Sequence, residues 1–271
     1  MTRGIDDMPN CRMGDERFDG RVIVVTGSSR GIGKGLAIGL AQRGAAVVCA
    51  ARSLDVPTSG FSGTIHETVD EIRALGGTAS AVQCDIGVAA DIERLVATTL
   101  GEYGRLDVLV NNAMTPTRAP LDESTVDDWD DSMRINVRSL YLFTRAVTEP
   151  MRAQGGGSII NISSGAAAHE VSALMPPGYV VYSVAKAALE RFSSAAAPEL
   201  APDGIAINSL RPGAVRTEHT AEEFGPDFDW TGWAEPADVV PPVAFLAAQA
   251  GTDFTGKVLD VSGYGTSWGV A

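Results

Sequence analysis

The chain has 271 residues, of which 45% are hydrophobic and 20% charged, a balance that suits one large domain with a buried core. Its formal net charge of -13 excludes the broad basic surface that non-specific binding to nucleic acid or acidic membranes requires. No apolar run reaches membrane-spanning length. Residues 1–19 lack the apolar centre of a secretory signal and read as a flexible leader to a single domain over 20–271. The cysteines, Cys11, Cys49 and Cys84, are odd in number and two fall in predicted strands, so buried thiols and a cytoplasmic setting are expected.

The first predicted strand is the apolar, β-branched run at 21–26. TGSSRGIG follows at 26–33, and then a helical pattern. Strand, glycine turn and helix together make a candidate dinucleotide site, with Gly27 permitting the turn, Gly31 letting the backbone approach a pyrophosphate and Gly33 allowing close packing. Ser29, Arg30 and Ile32 belong to the same turn, and the free N–H groups of the helix start would face the phosphates.

The second strand, 46–51, ends in Ala50, Ala51 and Arg52, without the carboxylate that would hold ribose hydroxyls. A carboxylate there repels a 2′-phosphate, whereas an arginine grips one, and Arg30 adds a second cation. NADP(H) is therefore expected in preference to NAD(H). The alternative is that Arg52 opens a solvated loop.

A long link at 53–63, a helix at 64–76 and a strand at 79–84 come next. Asp85 and Ile86 follow that strand; Asp85 could accept from an adenine amino group or serve turn chemistry. A helix at 89–103 and a strand at 107–111 lead to Asn111, Asn112 and Ala113, at the carboxyl end where open α/β sheets bind ligands. One helix is expected over 126–149, its acidic start matched to the helix dipole. Its apolar stripe, Trp129, Met133, Leu140, Phe143 and Val147, is interrupted by Asn136. A buried amide needs partners: backbone satisfaction is one account, a site water the other.

A fifth strand at 157–163 delivers Ser163 and Ser164, and the link at 165–178, with Met175, Pro176 and Pro177, is expected to line a pocket. The helix that follows holds Tyr182 and Lys186, four residues apart and so on one face. Val181, Ala185, Ala188 and Leu189 make that face apolar, and a lysine there must find a partner or carry a large desolvation cost. A strand at 205–210 ends at Arg211-Pro212-Gly213. The loop at 214–235 sets Phe224, Phe228, Trp230 and Trp233 among six acidic residues, either as a cover over an apolar ligand or as a small satellite cluster. A helix at 236–248 and a strand at 257–261 complete a parallel sheet of about seven strands with helices on both faces, an α/β doubly wound Rossmann-type fold. His66, His169 and His219 lack metal-ligand spacing and are expected on surfaces.

Taken in order, Thr26-Gly27…Gly31-Ile32-Gly33, Asp85, Asn111-Asn112-Ala113, Asn136, Ser164, Tyr182…Lys186 and Pro212-Gly213…Thr217 resemble the short-chain dehydrogenase/reductase family with a Tyr-x-x-x-Lys pair, over residues 20–263. The resemblance implies ketone–alcohol interconversion by hydride transfer. Tyr182 would be the acid/base, Ser164 the group that donates to the substrate oxygen, Lys186 a ligand of the nicotinamide ribose, and Asn136 the holder of a relay water. Gly27, Ser29, Arg30, Gly31, Ile32, Gly33, Arg52, Asp85, Ile86, Asn112, Ala113, Tyr182, Lys186, Pro212, Gly213 and Thr217 would contact the cofactor. It also implies a small-molecule carbonyl or alcohol substrate and a homodimer or homotetramer through the helices at 126–149 and 179–200. An ammonium about 4 Å from the Tyr182 phenol contributes roughly 4 kcal/mol at an effective dielectric of about 20, which nearly accounts for a shift from near pH 10 toward neutrality, with the positive oxidised nicotinamide assisting.

Two departures stand out: Met114 replaces the family glycine after Ala113, and 18 residues separate Ser164 from Tyr182, a few more than usual. A regulator that kept the fold and lost its chemistry is the rival reading. Enoyl reductases space the tyrosine and lysine more widely, and epimerases and dehydratases carry an extra C-terminal lobe.

Overall fold

Apolar β-branched runs alternate with amphipathic ones along the chain, and they form seven parallel strands separated by helices. The computed structural model describes residues 16–57, 62–169, 177–249, 251 and 254–269. The strands are β1 (Val22–Thr26), β2 (Ala46–Ala51), β3 (Thr78–Gln83), β4 (Val108–Asn111), β5 (Gly157–Ile162), β6 (Ile205–Arg211) and β7 (Val258–Asp260). They pair in the order β3-β2-β1-β4-β5-β6-β7. The winding reverses between β1 and β4, and such a reversal opens a ligand crevice above the carboxyl ends of the strands.

Period-two alternation sends neighbouring β1 side chains to opposite cores. Ile23 and Val25 join Leu36 and Leu40 of α1 (Gly31–Gln42), Val69 and Ile72 of α2 (Ile65–Ala74) and Val243 and Leu246 of α8 (Val240–Ala248). Val22 and Val24 join Leu95 of α3 (Ala89–Tyr103), Phe143 and Val147 of α5 (Ser139–Ala153) and Leu200 of α6 (Val180–Leu200). Of the expected leader, residues 1–15 lie outside the described part. At its end, Phe18 is buried in the first core and its N–H donates to the Arg43 carbonyl at 2.8 Å. Cys49 and Cys84 are buried free thiols, pushed up to about 12 by burial.

The single helix expected over 126–149 is interrupted. It consists of α4 (Val126–Met133), a π-helical turn at Arg134–Arg138, and α5. A π turn inserts an extra residue, which rotates the following face by about 100°. Leu140, Phe143 and Val147 are therefore buried as expected, but Trp129 is 42% exposed and Ser132 is buried in its stead. The loop expected at 214–235 also contains a helix, α7 (Glu218–Phe224), capped by the Thr217 hydroxyl.

A buried polar chain fixes α6 to the sheet. The Asn111 amide donates to Asn161 Oδ1 at 2.8 Å, Asn161 Nδ2 donates to Ser193 Oγ at 2.9 Å, and the Ser209 hydroxyl donates to Ser193 at 2.7 Å. Replacing Asn161 by Ala strands its partners in a dry core, where an unmade hydrogen bond is costly. The expected loss is about 2 kcal/mol of unfolding free energy, read as a lower urea midpoint with an unchanged slope.

Candidate active site

The glycine turn sits where β1 meets β4. Asn112 stitches it: its Nδ2 donates to the carbonyls of Thr26 and Gly27, at 2.9 and 3.2 Å, and its N–H to Thr26 Oγ1. A Cβ on Gly33 would lie 2.2 Å from the Gly27 carbonyl, and one on Gly27 would lie 2.8 Å from Ala113 Cα. Gly27 and Gly31 adopt left-handed φ values of +67° and +54°. Gly31 opens α1, and its N–H donates to the Glu218 carboxylate at 2.8 Å. An anion is thus already held at the helix start, and the residues present fit a dinucleotide phosphate. Thr217 packs beside Gly31, with its Cγ2 3.3 Å from where a Cβ would stand. Pro212 is buried, while Gly213 is open and has a φ of +76°.

Arg30 and Arg52 converge at the end of β2. Burial lowers the Arg30 pKa, Glu218 raises it, and the like charge of Arg52 lowers it again. Arg30 also reaches Ser53 Oγ at 3.4 Å. Across the crevice, Asp85 accepts from the Gly87 N–H at 2.8 Å, which is turn chemistry, and the neighbouring Ile86 is buried in the second core. Ser29 is buried in the turn and Ile32 packs on the first core.

Tyr182, Lys186 and Glu190 lie at four-residue steps along α6, and all three are buried. Lys186 Nζ donates to the Ile162 carbonyl at 2.7 Å, the last residue of β5, and stands 5.7 Å from the Tyr182 ring centre. Burial brings the lysine from 10.5 down to about 8, against the opposing pull of Glu190. Glu190 is itself held by Arg211, at 2.7 and 2.8 Å, and by the Ser163 hydroxyl at 2.7 Å. Sequence reasoning missed Glu190, although its position four residues beyond a buried lysine was a usable signal.

The tyrosine does not behave as the charge arithmetic expects. Burial pushes its phenol up, Ser164 and the Arg118 guanidinium pull it down, and Tyr179 pushes it up. Lys186 donates instead to the Ile162 carbonyl, and the groups that lower the phenol are Ser164 and Arg118. Ser164 sits at the start of a 3₁₀ turn and accepts from the Ala166 N–H at 3.2 Å. Arg118 lies 4.8 Å over the Tyr179 ring, and Tyr179 packs edge-on to Tyr182 at 6.2 Å. Nothing in its loop, TPTRAP, marks Arg118 in the sequence.

Asn136 lies in the π turn with its side chain fully engaged. Its oxygen accepts from the Thr115 N–H at 2.9 Å, and its amide donates to the Thr115 carbonyl and to Ser132 Oγ. The four aromatics of the 214–235 loop pack on one another with centroids 4.5 to 6.2 Å apart, the satellite-cluster arrangement. Met114 is exposed, and Met175 and Pro176 lie outside the described residues. His66 pairs with Asp55 at the surface and His169 is exposed. His219 is half-buried instead, and burial and Arg118 lower its pKa. Among the described residues no three His, Cys, Asp or Glu side chains gather as a metal site, and no helix is long and apolar enough to cross a membrane.

A strand-order reversal with a glycine turn on one side and a buried Tyr–Lys pair on the other defines a nicotinamide-type oxidoreductase. Residues 21–226 match the short chain dehydrogenase family, and the chain belongs to it. It is 36% identical to a 3-oxoacyl-[acyl-carrier-protein] reductase of Synechocystis sp., covering 90% of this chain and 96% of that one. It is 34% identical to a cyclopentanol dehydrogenase of Comamonas testosteroni, covering 91% and 97%. A solved structure of a putative NAD(P) dependent gluconate 5-dehydrogenase from Beutenbergia cavernae, with bound NADP, superposes with a TM-score of 0.78 at 31% identity, covering 92% and 98%.

A lysine with a lowered folded pKa releases its proton earlier in the native state than in the unfolded chain. Between about 8 and 10.5 the unfolded state then binds more protons, so stability rises with pH over that window. Tyr182, which is raised, opposes this only above its ordinary value of 10.0. From pH 8 to pH 10, wild type should gain roughly 2 kcal/mol relative to Lys186→Met. Denaturant unfolding of both proteins across that range checks it, and parallel curves would contradict the lysine assignment.

Proposed function

We propose that the protein is an NADP(H)-dependent oxidoreductase that interconverts a ketone and a secondary alcohol, with Tyr182 as the proton donor and acceptor. The observation that carries this reading is the buried line of Tyr182 and Lys186 on α6, with Ser164 against the phenol. A tyrosine and a lysine that shared only a solvated helix face would not be buried together. Gly27, Gly31 and Gly33 would take the dinucleotide phosphates, Thr217 lies beside them, and Arg30 and Arg52 would take a 2′-phosphate. The bound cofactor supplies the hydride and, when oxidised, a positive charge.

Tyr182 passes a proton to the substrate oxygen in reduction and takes it back in oxidation. Ser164 donates to that oxygen and fixes its direction. Lys186, kept dry and near pH 8, can replenish the phenol with a proton at modest cost. The Asn136 amide positions the Thr115 loop, so any relay water would rest on its main-chain carbonyl. Printed substrates among the relatives range from an acyl thioester to cyclopentanol. An apolar or medium-sized carbonyl compound is the class we infer. Trp129, Tyr141, Val180 and Val184 leave apolar surface exposed on α4, α5 and α6, which favours a homo-oligomer through these helices.

Tyr182→Phe should lower turnover of NADPH with an accepted ketone by at least about 10³-fold, while NADPH affinity stays within about two-fold. Robust activity in that variant excludes the mechanism. The double variant Ala51→Asp, Arg52→Ala should move the ratio of kcat/KM for NADPH over NADH by about 10²-fold or more toward NADH. An unchanged ratio contradicts the 2′-phosphate site.

A further inference from the structure

Helix α7 carries one carboxylate to the glycine turn and another to the loop that follows β4. At its first residue, Glu218 Oε2 accepts from the N–H of Gly31 at 2.8 Å, at the start of α1. At its other end, Glu223 pairs with Arg118, which belongs to the loop that follows β4. The two contacts run to different elements, the glycine turn and the loop beside Tyr179, so α7 is held at both ends. The Glu218 charge is also felt at Arg30, which places it within the cationic surround of the turn.

The Gly31 N–H is one donor at a left-handed residue with little room around it: a Cβ would meet Thr217 at 3.3 Å. It serves a carboxylate oxygen or a phosphate oxygen, and two anions cannot share it without strong repulsion. We propose that Glu218 is an internal competitor for the phosphate cradle, a carboxylate that a dinucleotide must displace before it seats. This rests on the reading that the turn holds a dinucleotide. Glu218 thereby sets cofactor affinity without touching the reacting atoms.

The test is NADPH titration of the full chain, followed by tryptophan fluorescence and calorimetry, in wild type, Glu218→Gln, Glu218→Ala and Glu222→Gln. Glu222 lies on the same helix, is exposed, and removes the same charge without touching the turn. Both Glu218 variants should bind NADPH about ten-fold more tightly than wild type, and Glu222→Gln should stay within about two-fold. Equal or weaker binding in both Glu218 variants, with melting temperatures near wild type, overturns the proposal. Equal tightening in Glu222→Gln also overturns it, because bulk charge is then the cause. Failure of all four folded proteins to bind NADPH or NADH removes the cofactor reading itself, and this proposal with it.

Discussion

A single ammonium, removed from water and fastened to the carbonyl at the end of β5, governs the geometry of the crevice. Lys186 could not stay charged in that position without an acceptor, since an unpartnered buried cation is far too costly. The Ile162 carbonyl supplies the acceptor at 2.7 Å, and Glu190 supplies a compensating field one turn further along. Glu190 needs its own partners, and Arg211 and Ser163 provide them from the ends of β6 and β5. Helix α6 is therefore pinned to the carboxyl ends of two strands by polar contacts, and the Asn161–Ser193 chain secures it deeper in the core. That anchoring is what fixes the Tyr182 ring above the sheet beside Ser164.

The consequence for proton transfer differs from a simple ion-pair picture. In the chain alone the phenol is pushed up by burial, with Ser164 and Arg118 as the groups that oppose this. Under the proposed mechanism, full acidification of Tyr182 therefore awaits the positive charge of an oxidised nicotinamide. The resting site would then hold its proton, and the tyrosinate would form only in the loaded crevice. This protein has a net charge of -13, yet its crevice collects Arg30, Arg52, Arg118 and Lys186. Two carboxylates from α7 answer two of those centres, the glycine turn with its arginine and Arg118.

Much of this was legible in the sequence because the relevant signals are local. The continuous apolar runs set the strands, the glycine spacing set the turn, and the four-residue step placed Tyr182 and Lys186 on one face. Helix α3 and strand β2 fall at the boundaries read from the sequence. What escaped depends on contacts between distant segments. The π turn at 134–138 leaves no mark in composition, and Trp129 on its N-terminal side lies outside the buried stripe. Arg118, Glu218 and Glu223 are ordinary loop and helix charges until the fold pairs them with groups 105 or more residues away in the sequence. The partner of Lys186 was hidden for a similar reason: its ammonium donates to the carbonyl of Ile162, 24 residues away on β5.

Under the proposed mechanism, Tyr182 ionises within the working pH range only when an oxidised nicotinamide lies over the site. Ultraviolet difference titration of tyrosinate, comparing wild type with Tyr182→Phe, isolates that one phenol. Without cofactor, the Tyr182 signal should appear only above the ordinary tyrosine range, and saturation with NADP⁺ should bring it well below that range. A Tyr182 signal that stays at the same alkaline pH with and without NADP⁺ would contradict it.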